Sequence, residues 1–157
     1  MTSKDVNHLN DENMKQIILS LTAIISFAFS ASAGDRPVAY NELPLSVRTF
    51  IESTFPSVKV MYSVVDDGII LPDYTISLEN GIKVQFTNSG RLEKVDAGRN
   101  SVPCGIIPVQ ICDYLKLHYP DAHVTEYEVS KRLYEVRLSN RMELKFNSRF
   151  NVIEVDD

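Results

Sequence analysis

Most of the chain repeats one pattern twice. Leu43-Pro44-Leu45 recurs as Ile107-Pro108-Val109, and Phe55-Pro56 recurs as Tyr119-Pro120, both at an offset of 64 residues. Two copies of one unit fold as two similar substructures, so the repeat constrains the architecture before any single element is assigned.

Each copy begins with a predicted helix. Between the proline-containing anchors, three apolar residues of the first copy have apolar counterparts in the second: Val47, Phe50 and Ile51 against Ile111, Tyr114 and Leu115. Their i, i+3, i+4 spacing is the buried stripe of a short amphipathic helix. Proline is tolerated at the start of a helix and stops it at the end, so each helix is bounded on both sides.

Strands are predicted after each helix. Tyr74 to Leu78 matches Tyr134 to Leu138 at an offset of 60, with apolar and polar residues alternating. Glu79-Asn80-Gly81 and Ser139-Asn140-Arg141 follow as tight hairpin turns, Asn-Gly being a strong turn signal. The first strand of each copy is placed at Val58 to Val65 and at Val124 to Val129.

The predicted fold class is α+β. Two tandem helix-plus-four-strand repeats form one antiparallel sheet of about eight strands, with both helices on one face and the other face polar and open. Repeat one covers residues 34–97, a linker covers 98–105, and repeat two covers 106–157. Each half is small, so we expect the halves to share a core.

The N-terminus predicts export. Met14-Lys15, the apolar run from Ile17 to Phe29 and the small residues up to Ala33 form the pattern of a secretory signal peptide at 14–33. Residues 1–13 carry acidic charge where a signal is basic, and are interpreted as an extension upstream of the true start. The apolar run is too short to cross a bilayer, which needs about 20 residues. We therefore expect a periplasmic or secreted protein with no membrane span after cleavage.

Composition argues against several functions. The formal net charge of −5 provides no basic surface for nucleic acid or anionic lipid. The sequence has no nucleophile or zinc-protease signature, and its scattered His and Asp residues lack metal-ligand spacing. We expect no enzyme activity, no cofactor and no metal.

The only two cysteines, Cys104 and Cys112, lie in the exported part. An oxidising compartment permits a disulfide that ties the linker to the second helix. The alternative is two free thiols, one in the linker and one packed on the helix.

Two surfaces are candidates for partner binding. The loop from Asp66 to Pro72 has apolar residues at positions where polar ones are usual. Either these residues form an exposed contact for a partner, or the loop folds back and caps its own core. The open sheet face is either a docking surface or a solvated face with modest cross-strand pairs. The candidate residues are Asp67, Ile69, Ile70 and Leu71 in the loop, and Thr75, Ser77, Lys83, Gln85, Arg137, Arg141 and Lys145 on the face.

This order of features resembles the PepSY-like family (DUF2874-type), small exported proteins of Bacteroides-type bacteria. The resemblance is carried by the signal peptide, the Leu-Pro-x-x-Val-x-x-Phe-Ile helix starting at Leu43, the Tyr-x-Ile-x-Leu hairpin starting at Tyr74, the Asn-Gly turn and the second copy. It implies a fold related to the β-lactamase inhibitor protein, in which a concave sheet and loops grip an enzyme. It also implies a protein that restrains peptidases or binds envelope components.

The expected function is therefore an exported, non-enzymatic binding module, an inhibitor of or adaptor for a periplasmic or envelope protein, that uses the open sheet face and the 66–72 loop. The alternative is a small-ligand or envelope-sensing domain that binds in the groove between the repeats.

Overall fold

The computed structural model describes residues 35–66 and 73–157. Within them the chain forms two α-helices, nine strands and a 3-10 turn before each helix. The helices are α1 (Leu45–Thr54) and α2 (Val109–His118). The strands are β1 (Asp35–Pro37), β2 (Val60–Asp66), β3 (Asp73–Leu78), β4 (Lys83–Phe86), β5 (Leu92–Asp96), β6 (Val124–Val129), β7 (Leu133–Leu138), β8 (Glu143–Asn147) and β9 (Val152–Asp156).

All nine strands form one antiparallel sheet in chain order. β5 pairs with β6, so the sheet continues from repeat one into repeat two without a break. The predicted fold class is confirmed. The prediction of about eight strands omits β1, which has only three residues and precedes the repeated pattern.

The helices begin and end where the prolines predict. Pro44 and Pro108 come directly before α1 and α2. At the other end, Pro56 disfavours helical geometry in the preceding residue, and Phe55 leaves the helix with φ −128°. Pro120 has the same effect on Tyr119, which leaves α2 with φ −137°.

One core joins both repeats. Val47 and Ile51 of α1, and Ile111 of α2, are buried in the same cluster as the inward-facing strand residues. A T-shaped aromatic pair connects each helix to its sheet: Phe50–Phe86 with centroids 5.3 Å apart, and Tyr114–Phe146 with centroids 5.6 Å apart. Both helices therefore pack on the same face, and the halves share the core.

The predicted signal peptide at 14–33 and the extension at 1–13 lie outside the described residues. Among the residues that are described, no helix is long and apolar enough to span a membrane.

Candidate functional site

An apolar groove lies at the repeat-one end of the molecule, between α1 and β2. Its volume is about 740 Å³, within the range of typical ligand-binding clefts. Ile51 and Phe55 of the buried core line it, together with the half-buried Val58. Met61 and Tyr62 also line it and are 67% and 54% exposed. We call this cleft the β2 groove.

The groove exists because β1 is short. β1 pairs only with Val64, Val65 and Asp66 of β2, and the Val38 N–H adds one bond to the Ser63 carbonyl at 3.0 Å. The chain then leads into α1, so the N-terminal half of β2 pairs with β3 on one edge and has no described strand on its other edge.

Hydrogen bonds hold the groove's rim in place. The Tyr40 hydroxyl donates to the Arg48 carbonyl (3.2 Å) and lies 3.3 Å from the Glu52 carboxylate. Burial, followed by the negative charge of Glu52, raises the pKa of the Tyr40 phenol. On the other side the Ser63 hydroxyl donates to the Val38 carbonyl at 2.7 Å. The groove is therefore a preformed cleft.

The open sheet face of repeat two carries a chain of ion pairs. Glu126 accepts from Lys94 at 2.7 Å and from Arg137 at 3.1 Å, and Arg137 also reaches Glu143 at 2.9 Å. The hydrogen bond that Arg137 donates to Glu143, followed by the negative charge of Glu126, raises the pKa of Arg137. Arg137, a predicted contact residue, is therefore already paired with carboxylates of its own sheet.

Lys145, another predicted contact residue, is also paired. Its ammonium lies 2.6 Å from the Glu154 carboxylate of β9. The hydrogen bond to Glu154 raises the pKa of Lys145, and the same bond lowers the pKa of Glu154.

The open face of repeat one is less charged. Lys83 and Gln85 are exposed there, and Thr75 is half-buried. Ser77 departs from the prediction: it is 5% exposed, and its hydroxyl has no hydrogen-bond partner among the described residues. The residues directly opposite it are Tyr62 and Lys83, whose longer side chains flank it, so Ser77 is not available to a partner.

The predicted turn at Ser139-Asn140-Arg141 is confirmed, with Arg141 at φ +75° between β7 and β8. Arg141, also predicted as a contact on the polar face, therefore lies at the end of a hairpin and not within a strand. The predicted loop residues Asp67, Ile69, Ile70 and Leu71 lie outside the described residues, so a contact there stays a prediction.

The cysteines are free in the structure, with the two sulfurs 2.9 Å apart. Cys112 is buried and Cys104 is exposed. Burial, followed by the hydrogen bond to Cys104, raises the pKa of the Cys112 thiol to about 12. Since the thiolate is the nucleophile, this thiol is a poor reactive group at neutral pH. The disulfide stays a prediction that the contact between the sulfurs allows.

A second cleft, of about 550 Å³, lies between the repeats at β4, β5 and the end of β6. Most of its lining residues are polar, and they include the cations Arg91, Lys94 and Lys131 as well as the carboxylates Glu93 and Glu128. Desolvation, followed by the charge of Asp73, raises the pKa of Glu93. Within residues 35–66 and 73–157, no group of three or more His, Cys, Asp or Glu side chains is arranged to hold a metal.

Sequence reasoning missed the β2 groove. The predicted strand from Val58 to Val65 overlaps β2 (Val60–Asp66), but period-2 alternation does not predict that Met61 and Tyr62 are both exposed. The structure has an irregular register between Val60 and Tyr62, which turns two successive large side chains outward. The adjacent Met and Tyr in a period-2 segment are the one sequence signal that could have indicated it.

One family model and several solved structures are similar to the chain. The family model described as "Putative beta-lactamase-inhibitor-like, PepSY-like" matches residues 32–94 and again residues 72–154. No curated protein matches the chain in sequence.

Three solved structures share the fold. A Bacteroides thetaiotaomicron protein described as a "putative calcium-regulated periplasmic protein" is 39% identical, with a TM-score of 0.77, over 78% of this chain and 97% of its own. A Bacteroides vulgatus "putative periplasmic protein from DUF2874 family" is 36% identical, with a TM-score of 0.75, over 78% of this chain and 97% of its own. A second B. vulgatus periplasmic protein, described as being of unknown function, is 28% identical, with a TM-score of 0.75, over 79% of this chain and 100% of its own.

The two matches of the family model together span residues 32–154, and two relatives are more than one third identical over nearly their whole length. The chain therefore belongs to the PepSY-like, β-lactamase-inhibitor-like family.

Proposed function

We propose that this protein is an exported, non-catalytic module that binds an envelope or periplasmic protein through the β2 groove. The observation that carries the proposal is the apolar groove itself, flanked by the exposed Met61 and Tyr62. Clefts lined by apolar side chains with exposed aromatic and Met residues at the rim are typical of recognition surfaces.

Two further observations support this assignment. The related proteins are described as periplasmic, which agrees with the predicted signal peptide. The family model that matches the chain is described as β-lactamase-inhibitor-like, which favours binding over turnover.

The repeat-two sheet face is a weaker candidate for the contact. Lys94, Arg137 and Lys145 already pair with carboxylates of the same sheet. A partner would have to break these pairs or leave them solvated at its rim, where ion pairs contribute little to affinity. The apolar rim of the β2 groove, Met61 and Tyr62, forms no ion pair that a partner would have to break.

The test uses a matched pair of variants. Met61→Ser with Tyr62→Ser removes the exposed apolar rim. Val109→Ser with Leu117→Ser removes equally exposed apolar residues, 63% and 76% exposed, from α2. All four side chains are solvent-exposed, so neither pair of substitutions should lower the melting temperature much.

The readout is cross-linking capture from native periplasm. We expect the α2 control to capture the same partner as the unmodified protein, and the groove variant to lose it. Equal capture by the groove variant would remove the β2 groove as the binding site.

A second candidate function is a small-ligand or envelope-sensing domain, with its site in the polar cleft between the repeats. Lys94 of that cleft is paired with Glu126 and Glu128, so Arg91 and Lys131 are the cations that a small anionic ligand would contact. A rise in melting temperature with anionic metabolites, abolished by Lys131→Ala and unaffected by the groove variant, would support this alternative.

A further inference from the structure

The two repeats differ in what covers their first strand. In repeat two, β5 pairs with β6 through Lys94, Val95 and Asp96. The next bonds run from the Ala97 N–H to the Thr125 carbonyl and from the Val102 N–H to the Val124 carbonyl, both 2.8 Å. The edge of β6 is therefore paired beyond the end of β5.

At the same positions in repeat one, no described residue covers the strand edge in this way. Val124, Thr125 and Glu126 correspond to Val60, Met61 and Tyr62 at the repeat offset of 64. Both strands have the same register irregularity at these positions, so the correspondence holds in three dimensions. In repeat one the described hydrogen bonds along this edge end at Ser63.

The β2 groove occupies the space that chain fills in repeat two. Ala97 and Val102 are 1% and 2% exposed and belong to the shared core. Their positions along β6 correspond to the positions along β2 where the groove opens over Ile51 and Phe55. Repeat two thus shows what such a site accepts: backbone N–H groups on the strand edge and small apolar side chains on the core, here from the two ends of a turn at residues 98–100.

The uncharged edge supports this assignment. A free strand edge is a template for pairing with another chain, and proteins usually protect it with charge. At the opposite end of the sheet, β9 carries Glu154 and Asp156. The open part of β2, from Val60 to Tyr62, carries no charge.

We propose that the β2 groove takes an extended segment of a partner polypeptide, which adds to the sheet antiparallel to β2 and places an Ala- or Val-sized side chain on Ile51 and Phe55. This inference rests on the proposed function and names the kind of partner. Main-chain hydrogen bonds to the Val60 and Met61 carbonyls would supply affinity, and the groove would supply side-chain selectivity.

The test selects short random peptides on the whole exported protein. We expect the selected peptides to share one small apolar position. Their binding should be lost in Met61→Lys, which puts a charge on the edge, and in Val58→Trp, which fills the groove. It should persist in Leu117→Lys, a matched exposed site on α2.

Main-chain pairing is tested separately by N-methylating each amide of the best peptide. Methylating an N–H that donates to the Val60 or Met61 carbonyl should lower the affinity of the peptide about tenfold. This is the effect of one lost hydrogen bond that leaves its acceptor unpaired. Methylation elsewhere should have little effect. If no methylation matters, the peptide docks by side chains alone and strand addition is wrong.

Other occupants give different results. Dimerisation of the unmodified protein that Met61→Lys abolishes, measured by sedimentation, would make a second copy the occupant and overturn the proposal. Failure to enrich peptides over the Val58→Trp protein would also overturn it. The two proposals fail in different ways. If partner capture depends on Met61 and Tyr62 but peptide methylation has no effect, strand addition is wrong and the proposed function stands. If peptide binding is sensitive to methylation but the groove variant still captures the partner, the proposed function is wrong.

Discussion

Single residues show where the two repeats diverge under the same backbone. The hairpin turn after β3 has Gly81 at φ +86°, and the equivalent turn after β7 has Arg141 at φ +75°. The left-handed region costs an ordinary L-residue roughly 1–2 kcal/mol, but glycine very little. Repeat two therefore carries strain that repeat one avoids.

Arg141→Gly is expected to raise the free energy of unfolding by about 1 kcal/mol, because it relieves that strain. The mirror-image control is Gly81→Ala. A Cβ there meets nothing within 4 Å, so its expected loss of about 1 kcal/mol is purely conformational. Chemical denaturation measures both. A loss of stability in Arg141→Gly would mean that the arginine side chain makes a contact worth more than the strain.

At the scale of elements, the turn between β4 and β5 packs on the start of α1. Gly90 has φ +76°, and a Cβ added to it would overlap the Ser46 hydroxyl. In repeat two the same turn position is Phe150, with φ +62°, whose ring lies 5.3 Å from Tyr134. The two repeats thus share one turn geometry. In repeat one the turn packs against α1, and in repeat two it carries an aromatic ring that contacts Tyr134.

Gly90→Ala is expected to destabilise the protein by about 2 kcal/mol, from the left-handed backbone and the contact with Ser46 together. Ser46→Ala removes the overlapping oxygen. The double variant should therefore lose less stability than the sum of the two single variants, a coupling that a double-mutant cycle measures. Strict additivity would show that the turn does not press on the helix.

At the scale of the whole molecule, the β5–β6 pairing and the single core make the repeats one cooperative unit. Each half alone has the size at which one hydrophobic core is marginal. The helices of both halves contribute to the same buried cluster, so neither half has a complete core of its own.

We expect one unfolding transition, and core variants in either half should shift it. Ile76→Ala in repeat one and Leu144→Ala in repeat two, both 0% exposed, should each cost about 2–5 kcal/mol. Circular dichroism and tyrosine fluorescence should give the same midpoint for each variant. Two separable transitions, each moved by only one substitution, would show that the repeats fold independently.

Local patterns in the sequence determined the elements and their order. Prolines mark the start and end of both helices, and the Asn-Gly pair forms the hairpin turn between β3 and β4. The 64-residue and 60-residue offsets predict two matching halves in one sheet. These features depend on residues near each other in the chain, where proline geometry, turn chemistry and apolar periodicity act directly.

Which surfaces are available to a partner depends on the tertiary structure. Ser77 alternates as an exposed residue, but the strands on both sides bury it. Arg137 is a free cation in the sequence and a paired one beside Glu126 and Glu143. The β2 groove depends on where β1 ends and where the chain leads afterwards. The physical reason is that burial, ion pairing and the cover of a strand edge depend on neighbours distant in sequence, which side-chain alternation along one strand does not specify.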